Sequence, residues 1–168
     1  IEAQERAGFK KWREMDMKKI LLLAAGLIPF ALGFGMNALM TANMNLVLPY
    51  RLIGVVLLLF WGFFGYRMKD FAGSARRSAI LIHLIPCAVL LLLLYQELVL
   101  GRYWPNLVGI ATQFYYLPLL NIAFGLERLP FALAGGWVHR MWYSYLIAFG
   151  LMWAAFYLGS RLKTNHTK

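Results

Sequence analysis

The sequence predicts an all-α fold: a polytopic integral membrane helical bundle with five transmembrane helices, six being the alternative. Of its 168 residues, 61% are hydrophobic and only 14% are charged, whereas a soluble domain carries about 25% charged residues. A helix crosses the hydrocarbon core with roughly 20 apolar residues, and none of the long apolar runs here has the period-two alternation of a barrel strand. The five runs without a charged residue are 20–50, 52–66, 78–96, 103–126 and 141–160.

The first uncharged run is too long for a single helix. Its last ten residues, "TANMNLVLPY", contain two asparagines and a proline, which predict a turn. This turn separates a first helix near 19–40 from a second near 47–66. Arg51 then lies in the first turn of the second helix, where its long side chain can reach the interface. Ala31 and Gly35 in the first helix have the small-residue spacing that predicts close approach of another helix.

The remaining runs predict three further helices. The third helix lies within "RRSAILIHLIPCAVLLLLLYQE", residues 76–97. The fourth is expected near 106–125 and the fifth at 141–160. Between these two, the apolar segment 129–138 is too short to cross and predicts an interfacial or re-entrant piece.

The two ends of the chain differ from this apolar body. Residues 1–16 hold four of the seven acidic residues, and their aromatic residues recur at helical spacing. They predict either a native juxtamembrane amphipathic segment or a remnant of something longer. The transmembrane domain is expected to span 17–163, and 164–168 form a short tail.

The net charge of +10 is explained by basic residues at membrane boundaries, where they set topology and contact anionic head groups. A nucleic-acid partner is therefore not predicted. With five helices and a cytoplasmic N-terminus, the inner side holds twelve lysines and arginines and the outer side five. This bias predicts a multi-pass protein of the cell inner (plasma) membrane. The basic residues expected at the membrane surface are Lys18, Lys19, Arg67, Lys69, Arg76 and Arg77.

The basic residues of the C-terminus do not suit this arrangement. In the five-helix version Arg161, Lys163 and Lys168 fall outside, against the positive-inside rule. A version with six crossings, in which 103–139 spans twice, places them inside.

The third helix contains one candidate site. His83 and Cys87 lie four residues apart and share a helix face, while Pro86 frees the carbonyl one turn back and bends the helix. Two ligands are too few for a metal, so we expect no metal and no haem here, and a hydrogen bond from His83 to a neighbouring helix. At the end of this helix, Glu97 is expected to form a boundary ion pair near Arg102.

The fourth helix carries the clearest polar stripe. Asn106, Gln113 and Asn121 fall within one band, and Tyr116 lies beside it. Amides are costly to expose to lipid, so the stripe is expected to face other helices or a cavity. Either interhelical hydrogen bonds or the wall of a ligand site or polar path accounts for this pattern.

No nucleophile, metal-binding or phosphate-binding motif occurs in the sequence, and no carboxylate lies deep within a predicted span. We therefore expect no enzyme, no catalytic residue and no cofactor. The predicted function is a non-enzymatic subunit or accessory partner of a larger membrane complex, whose partners are the lipid bilayer and another membrane protein or a second copy. One alternative is a small-solute binding or transport protein that uses the polar stripe, and another is a haem or redox subunit that uses His83.

Overall fold

The computed structural model describes residues 15–134 and 141–165, with side chains at 15–126 and 141–162. Within these residues the chain is all-helical, without strands, and has five helices long and apolar enough to cross a membrane. The predicted fold class is confirmed, and the chain is a multi-pass membrane protein. The helices are α1 Met15–Ala42, α2 Tyr50–Met68, α3 Ala75–Leu94, α4 Leu107–Ala134 and α5 Met141–Asn165.

Two of these helices depart from regular α geometry. Helix α1 is interrupted by a turn at Gly26 and Leu27 and resumes as Ile28–Ala42. Pro29 lies in the first turn of this second part, where the missing N–H removes no hydrogen bond of the helix. Helix α3 runs through Pro86 and ends in the π-helical turn Tyr95–Val99.

Helix α4 is longer than the sequence predicts. It begins at Leu107 and continues to Ala134, so the first part of the segment 129–138 belongs to this helix and is not a separate piece. The rest of that segment lies outside the described residues. So do most of the predicted juxtamembrane segment 1–16 and the last three residues of the tail.

Glycines allow the closest helix contacts. A Cβ on Gly65 of α2 would lie 2.0 Å from the carbonyl oxygen of Phe156, and one on Gly159 of α5 would lie 1.8 Å from that of Gly62. Helices α2 and α5 therefore touch backbone to backbone, which requires small residues. In α1 a close approach to α4 occurs at Gly33, which is not one of the two residues that the sequence predicts, and a Cβ there would meet the Phe114 carbonyl. The prediction for Gly35 is wrong, because that position faces open space.

Helix α4 is the centre of the bundle, because it packs against all four other helices. Its buried side chains include Tyr115, Tyr116 and Leu119. The backbone of Pro118 and the side chain of Ile122 lie against Gly54 of α2. Its buried face therefore contacts each of the other helices, while Leu107, Val108 and Asn121 stay exposed.

Three parts of the chain meet at one end of the bundle. The Lys18 ammonium of α1 lies 5.9 Å from the centre of the Phe71 ring, in the connection between α2 and α3. Arg76 at the start of α3 and Arg161 near the end of α5 line one cavity. We call this end the basic end. It collects the basic residues Lys18, Lys19, Arg67, Lys69, Arg76, Arg77 and Arg161.

Helix α5 begins at the opposite end. Tyr145, in its first turns, lies within hydrogen-bonding reach of Tyr103, which follows α3. The starts of α4 and α5 therefore both lie near the connection that follows α3. Arg161 lies at the same end of the bundle as Arg76, whereas the five-crossing version expected these two residues on opposite sides of the membrane.

We expect single cysteines at Asp70 and Thr164 to be labelled from one side of the membrane and a cysteine at Pro105 from the other. The reason is that the α2–α3 connection and the end of α5 share the basic end. The measurement is accessibility to a membrane-impermeant thiol reagent, with the native Cys87 replaced by alanine. Labelling of Thr164 from the same side as Pro105 would contradict this arrangement.

Candidate functional site

His83 of α3 lies at the centre of an aromatic cluster and is only 1% exposed. The ring of Trp153 stands 4.6 Å from its own, and those of Phe149 and Phe156 stand 5.9 and 5.6 Å away. Trp61 of α2 donates its indole N–H to His83 Nε2 over 3.1 Å. The predicted hydrogen bond from His83 to a neighbouring helix is thus confirmed, and it joins α3 to α2.

The two hydrogen bonds of His83 determine its tautomer. The Ala79 carbonyl oxygen can only accept, so Nδ1, which lies 2.8 Å from it, carries the proton. The Trp61 indole can only donate, so Nε2 accepts. This neutral imidazole offers no free nitrogen to a metal. Within the described part of the chain, no group of three potential metal ligands occurs, and Cys87 is a free, half-buried thiol.

The turn in α1 at Gly26 and Leu27 faces the Pro86 region of α3, and α4 contacts both. Pro86 deprives the Ile82 carbonyl of its usual amide donor, and this oxygen lies against Gly26, where a Cβ would come within 2.9 Å. Tyr115 of α4 donates its hydroxyl to the Gly26 carbonyl over 2.6 Å. Tyr116 donates to the Pro86 carbonyl over 2.7 Å. Two adjacent tyrosines of α4 therefore bond to the turn in α1 and to the helix turn around Pro86 in α3, while the bend predicted at Pro86 stays a prediction.

The polar stripe of α4 does not converge on one site. The Asn106 side chain caps its own helix by accepting from the Gly109 amide, and Gln113 donates to the Gly109 carbonyl over 3.2 Å. Asn121 is exposed and accepts from Arg51 Nε of α2 over 3.3 Å. Tyr116 is fully buried against α3. Both amides expected to have partners, Gln113 and Asn121, have them within the protein.

Sequence reasoning missed the most connected polar residue, Gln96. It is fully buried in the π-helical turn. Its Nε2 donates to the Leu92 carbonyl and to Thr112 Oγ1, each over 3.3 Å, and its Oε1 accepts from the Trp104 amide over 2.8 Å. One side chain therefore joins α3, α4 and the connection between them.

The ion pair expected between Glu97 and Arg102 does not form. The Glu97 carboxylate accepts the Tyr103 hydroxyl over 2.7 Å instead, and Arg102 is exposed. Burial and this hydrogen bond raise the pKa of Tyr103 far above its ordinary value. The tyrosine hence stays protonated and keeps donating. The reason for the error is that the π-helical turn directs Glu97 toward the connection rather than toward water.

One signal in the sequence could have identified Gln96. An amide directly beside a carboxylate at the end of an apolar helix is typical of a membrane boundary, yet the aromatic pair Tyr103–Trp104 and Pro105 follow within a few residues. Such a compact apolar connection packs back on the helix end and needs an internal hydrogen-bonding partner. The register that buries Gln96 depends on the π turn, which has no comparable signal.

Comparison with models of protein families, with curated proteins and with solved structures finds no match to this chain.

Replacing Trp61 by phenylalanine is expected to lower the free energy of unfolding by about 0.5–2 kcal/mol, because His83 Nε2 loses its only donor. Replacing both residues, as W61F/H83F, is expected to cost less than the sum of the two single changes, since no polar group is then left unsatisfied. The measurement is a double-mutant cycle from equilibrium unfolding in detergent micelles. Additive costs would show that the Trp61–His83 hydrogen bond contributes nothing to stability.

Replacing Gln96 by leucine is expected to cost about 1–3 kcal/mol, because the Trp104 amide and Thr112 hydroxyl lose a buried partner. The matched control is Gln113→Leu, whose amide bonds only to its own helix and whose loss is expected to cost about 0.5–1 kcal/mol. Hydrogen exchange should accelerate at the amides of Arg102 and Trp104 in the first variant alone. Equal exchange rates at these amides in both variants would show that Gln96 does not hold the connection between α3 and α4 in place.

Proposed function

We propose that this membrane protein acts as a non-enzymatic subunit or accessory partner of a larger membrane complex. One observation carries the proposal: the buried polar residues of the described part of the chain are engaged within the protein. They are Ser78, His83, Gln96, Thr112, Ser144 and Ser160. Among the described residues, Trp142 Nε1 is the one buried side-chain nitrogen without a hydrogen-bond partner, and a single indole N–H does not make a polar site. An interior whose polar residues already have partners has little left to offer a substrate, so we place the working surface of the protein on its exterior.

The exterior supports this proposal. Large apolar side chains are exposed on every helix, among them Leu59 at 70% and Leu158 at 62%. Some of this surface faces lipid, and a partner helix or a second copy of the chain can cover the rest. The basic end suits the cytoplasmic side of a plasma membrane, because lysines and arginines are retained there.

The two alternatives lose support on geometric grounds. The polar side chains of the α4 stripe bond to different parts of the protein, whereas a solute site needs polar groups that converge on one cavity. His83 has both ring nitrogens in hydrogen bonds, whereas an axial haem ligand needs a free nitrogen. A solute that raises the melting temperature of the purified protein would favour the first alternative, and a visible absorption band that His83→Ala abolishes would favour the second.

The subunit proposal predicts that the chain, extracted in a mild detergent, carries a stoichiometric protein partner or a second copy. A photo-crosslinking amino acid at Leu59 of α2 or at Leu91 of α3 samples two faces of similar exposure. We expect a discrete adduct from one face and lipid-only products from the other, because a partner covers part of the surface. Phe64, which is buried, serves as the control position. A monomeric mass with no adduct from any face would contradict the proposal.

A further inference from the structure

A cavity of about 420 Å³ opens at the basic end between α3 and α5. Its upper wall contains Arg76 and Arg161, each of which stands one residue inside the end of an apolar span. Its floor is apolar. The floor and remaining walls are formed by Ala75, Ala79, Trp153, Phe156, Tyr157 and Ser160. The cavity therefore has a cationic rim at the level of the membrane interface and a hydrocarbon-like interior below it.

Within the part of the chain that the structure describes, the two arginines have no acidic partner. Among the described residues, neither Arg76 nor Arg161 forms an ion pair with a carboxylate. Asp16, an acid near the same end, is already paired with Lys19 over 3.1 Å. Two guanidinium groups at one cavity create a local excess of positive charge, which an anion from outside the chain can neutralise.

Arg161 is held in place by its neighbour Tyr157. The guanidinium carbon lies 5.0 Å from the centre of the Tyr157 ring, and Nε donates to the tyrosine hydroxyl over 2.8 Å. A second guanidinium nitrogen donates to the same oxygen. Arginine has five N–H donors, so the guanidinium of Arg161 keeps further donors for a phosphate. Because Tyr157 fixes the plane of the guanidinium, these donors favour bidentate hydrogen bonding to the phosphate oxygens.

The N-terminus of α3 adds to the positive electrostatic potential at the rim of the cavity. Ser74 caps the helix by accepting from the Arg77 amide. The amides of Ala75 and Arg76, in the first turn, have no partner within the helix by position. The positive end of the helix dipole therefore lies at the same rim as the two arginines, which strengthens the attraction for an anion.

From this combination we infer that the cavity binds an anionic phospholipid, with its phosphate between Arg76 and Arg161 and an acyl chain over Trp153 and Phe156. The cationic rim accounts for the head group, and the apolar floor accounts for the chain. A free phosphate would use only the rim. Basic pockets between transmembrane helices are suited to such lipids. This inference does not depend on the proposed subunit role.

The test is native mass spectrometry of the full chain in detergent, titrated with phosphatidylglycerol or phosphatidylcholine. We expect the first phosphatidylglycerol to bind preferentially. We expect each of R76Q and R161Q to weaken it about fivefold and the double variant roughly 25-fold. The matched control is R77Q, which removes the same charge from the next residue of α3 but does not line the cavity, and its effect should stay within about twofold.

A blocking variant separates the cavity from general surface charge. Ala75 is exposed at the mouth, so Ala75→Phe should hinder entry of the lipid while both arginines remain. Three results would each overturn the inference. The first is that R77Q weakens phosphatidylglycerol binding as much as R76Q does. The others are an unchanged affinity for phosphatidylglycerol in Ala75→Phe, and equal binding of phosphatidylglycerol and phosphatidylcholine by the wild-type protein. Millimolar inorganic phosphate should not displace the lipid. Stabilisation by phosphate alone, with nothing added by the lipid, would assign the rim to a soluble anion instead.

Discussion

Hydrocarbon offers no hydrogen-bonding partner, and this constraint organises the interior of the bundle. Every polar group that the helices bury must find its partner inside the protein. His83 meets the requirement with both nitrogens, one bonded to Ala79 in its own helix and the other to Trp61 in α2. Gln96 meets it by joining two helices and their connection. The same side chains that remove unsatisfied groups therefore define which helices are neighbours.

Helix α4 combines this requirement with close packing. Its tyrosines donate to the Gly26 carbonyl at the turn in α1 and to the Pro86 carbonyl in α3. Its backbone lies directly against Gly33 and Gly54. Small residues on the neighbouring helices allow α4 to occupy the centre, and its tyrosines supply hydrogen-bond donors there. Without this helix the Gly26 carbonyl at the turn in α1 would lose the Tyr115 hydroxyl, and an unsatisfied polar group in hydrocarbon costs on the order of 2–7 kcal/mol.

The distribution of charge is the second organising feature. Both the start of α1 and the end of α5 lie with the α2–α3 connection at the basic end. This arrangement gathers on one side the positive charges that lie far apart in sequence. A single charged end allows the bundle to be oriented by the positive-inside bias, and it places two arginines from different helices at the rim of one apolar cavity.

Much of the fold and part of the candidate site could be predicted from the sequence. The five apolar helices, the turn before Tyr50, the boundary position of the basic residues and the hydrogen-bonded role of His83 follow from local composition and spacing. Each depends on how a short segment partitions between water and hydrocarbon. Asn106 and Gln113 bond to residues three or four positions away in the sequence, so these contacts could also be predicted from the local sequence.

Only the tertiary structure decided the partners that lie far apart in the chain. The choice of Trp61 for His83, the burial of Gln96 and the turn of Glu97 toward Tyr103 depend on which helix faces meet and on a π-helical turn. The position of Arg161 beside Arg76 depends on how α3 and α5 pack, which a charge count cannot detect. A sequence determines by itself how strongly each segment prefers the membrane, because that preference is a sum over neighbouring residues. Contacts between helices are decided by shape and by unsatisfied polar groups on surfaces that form only when the bundle assembles.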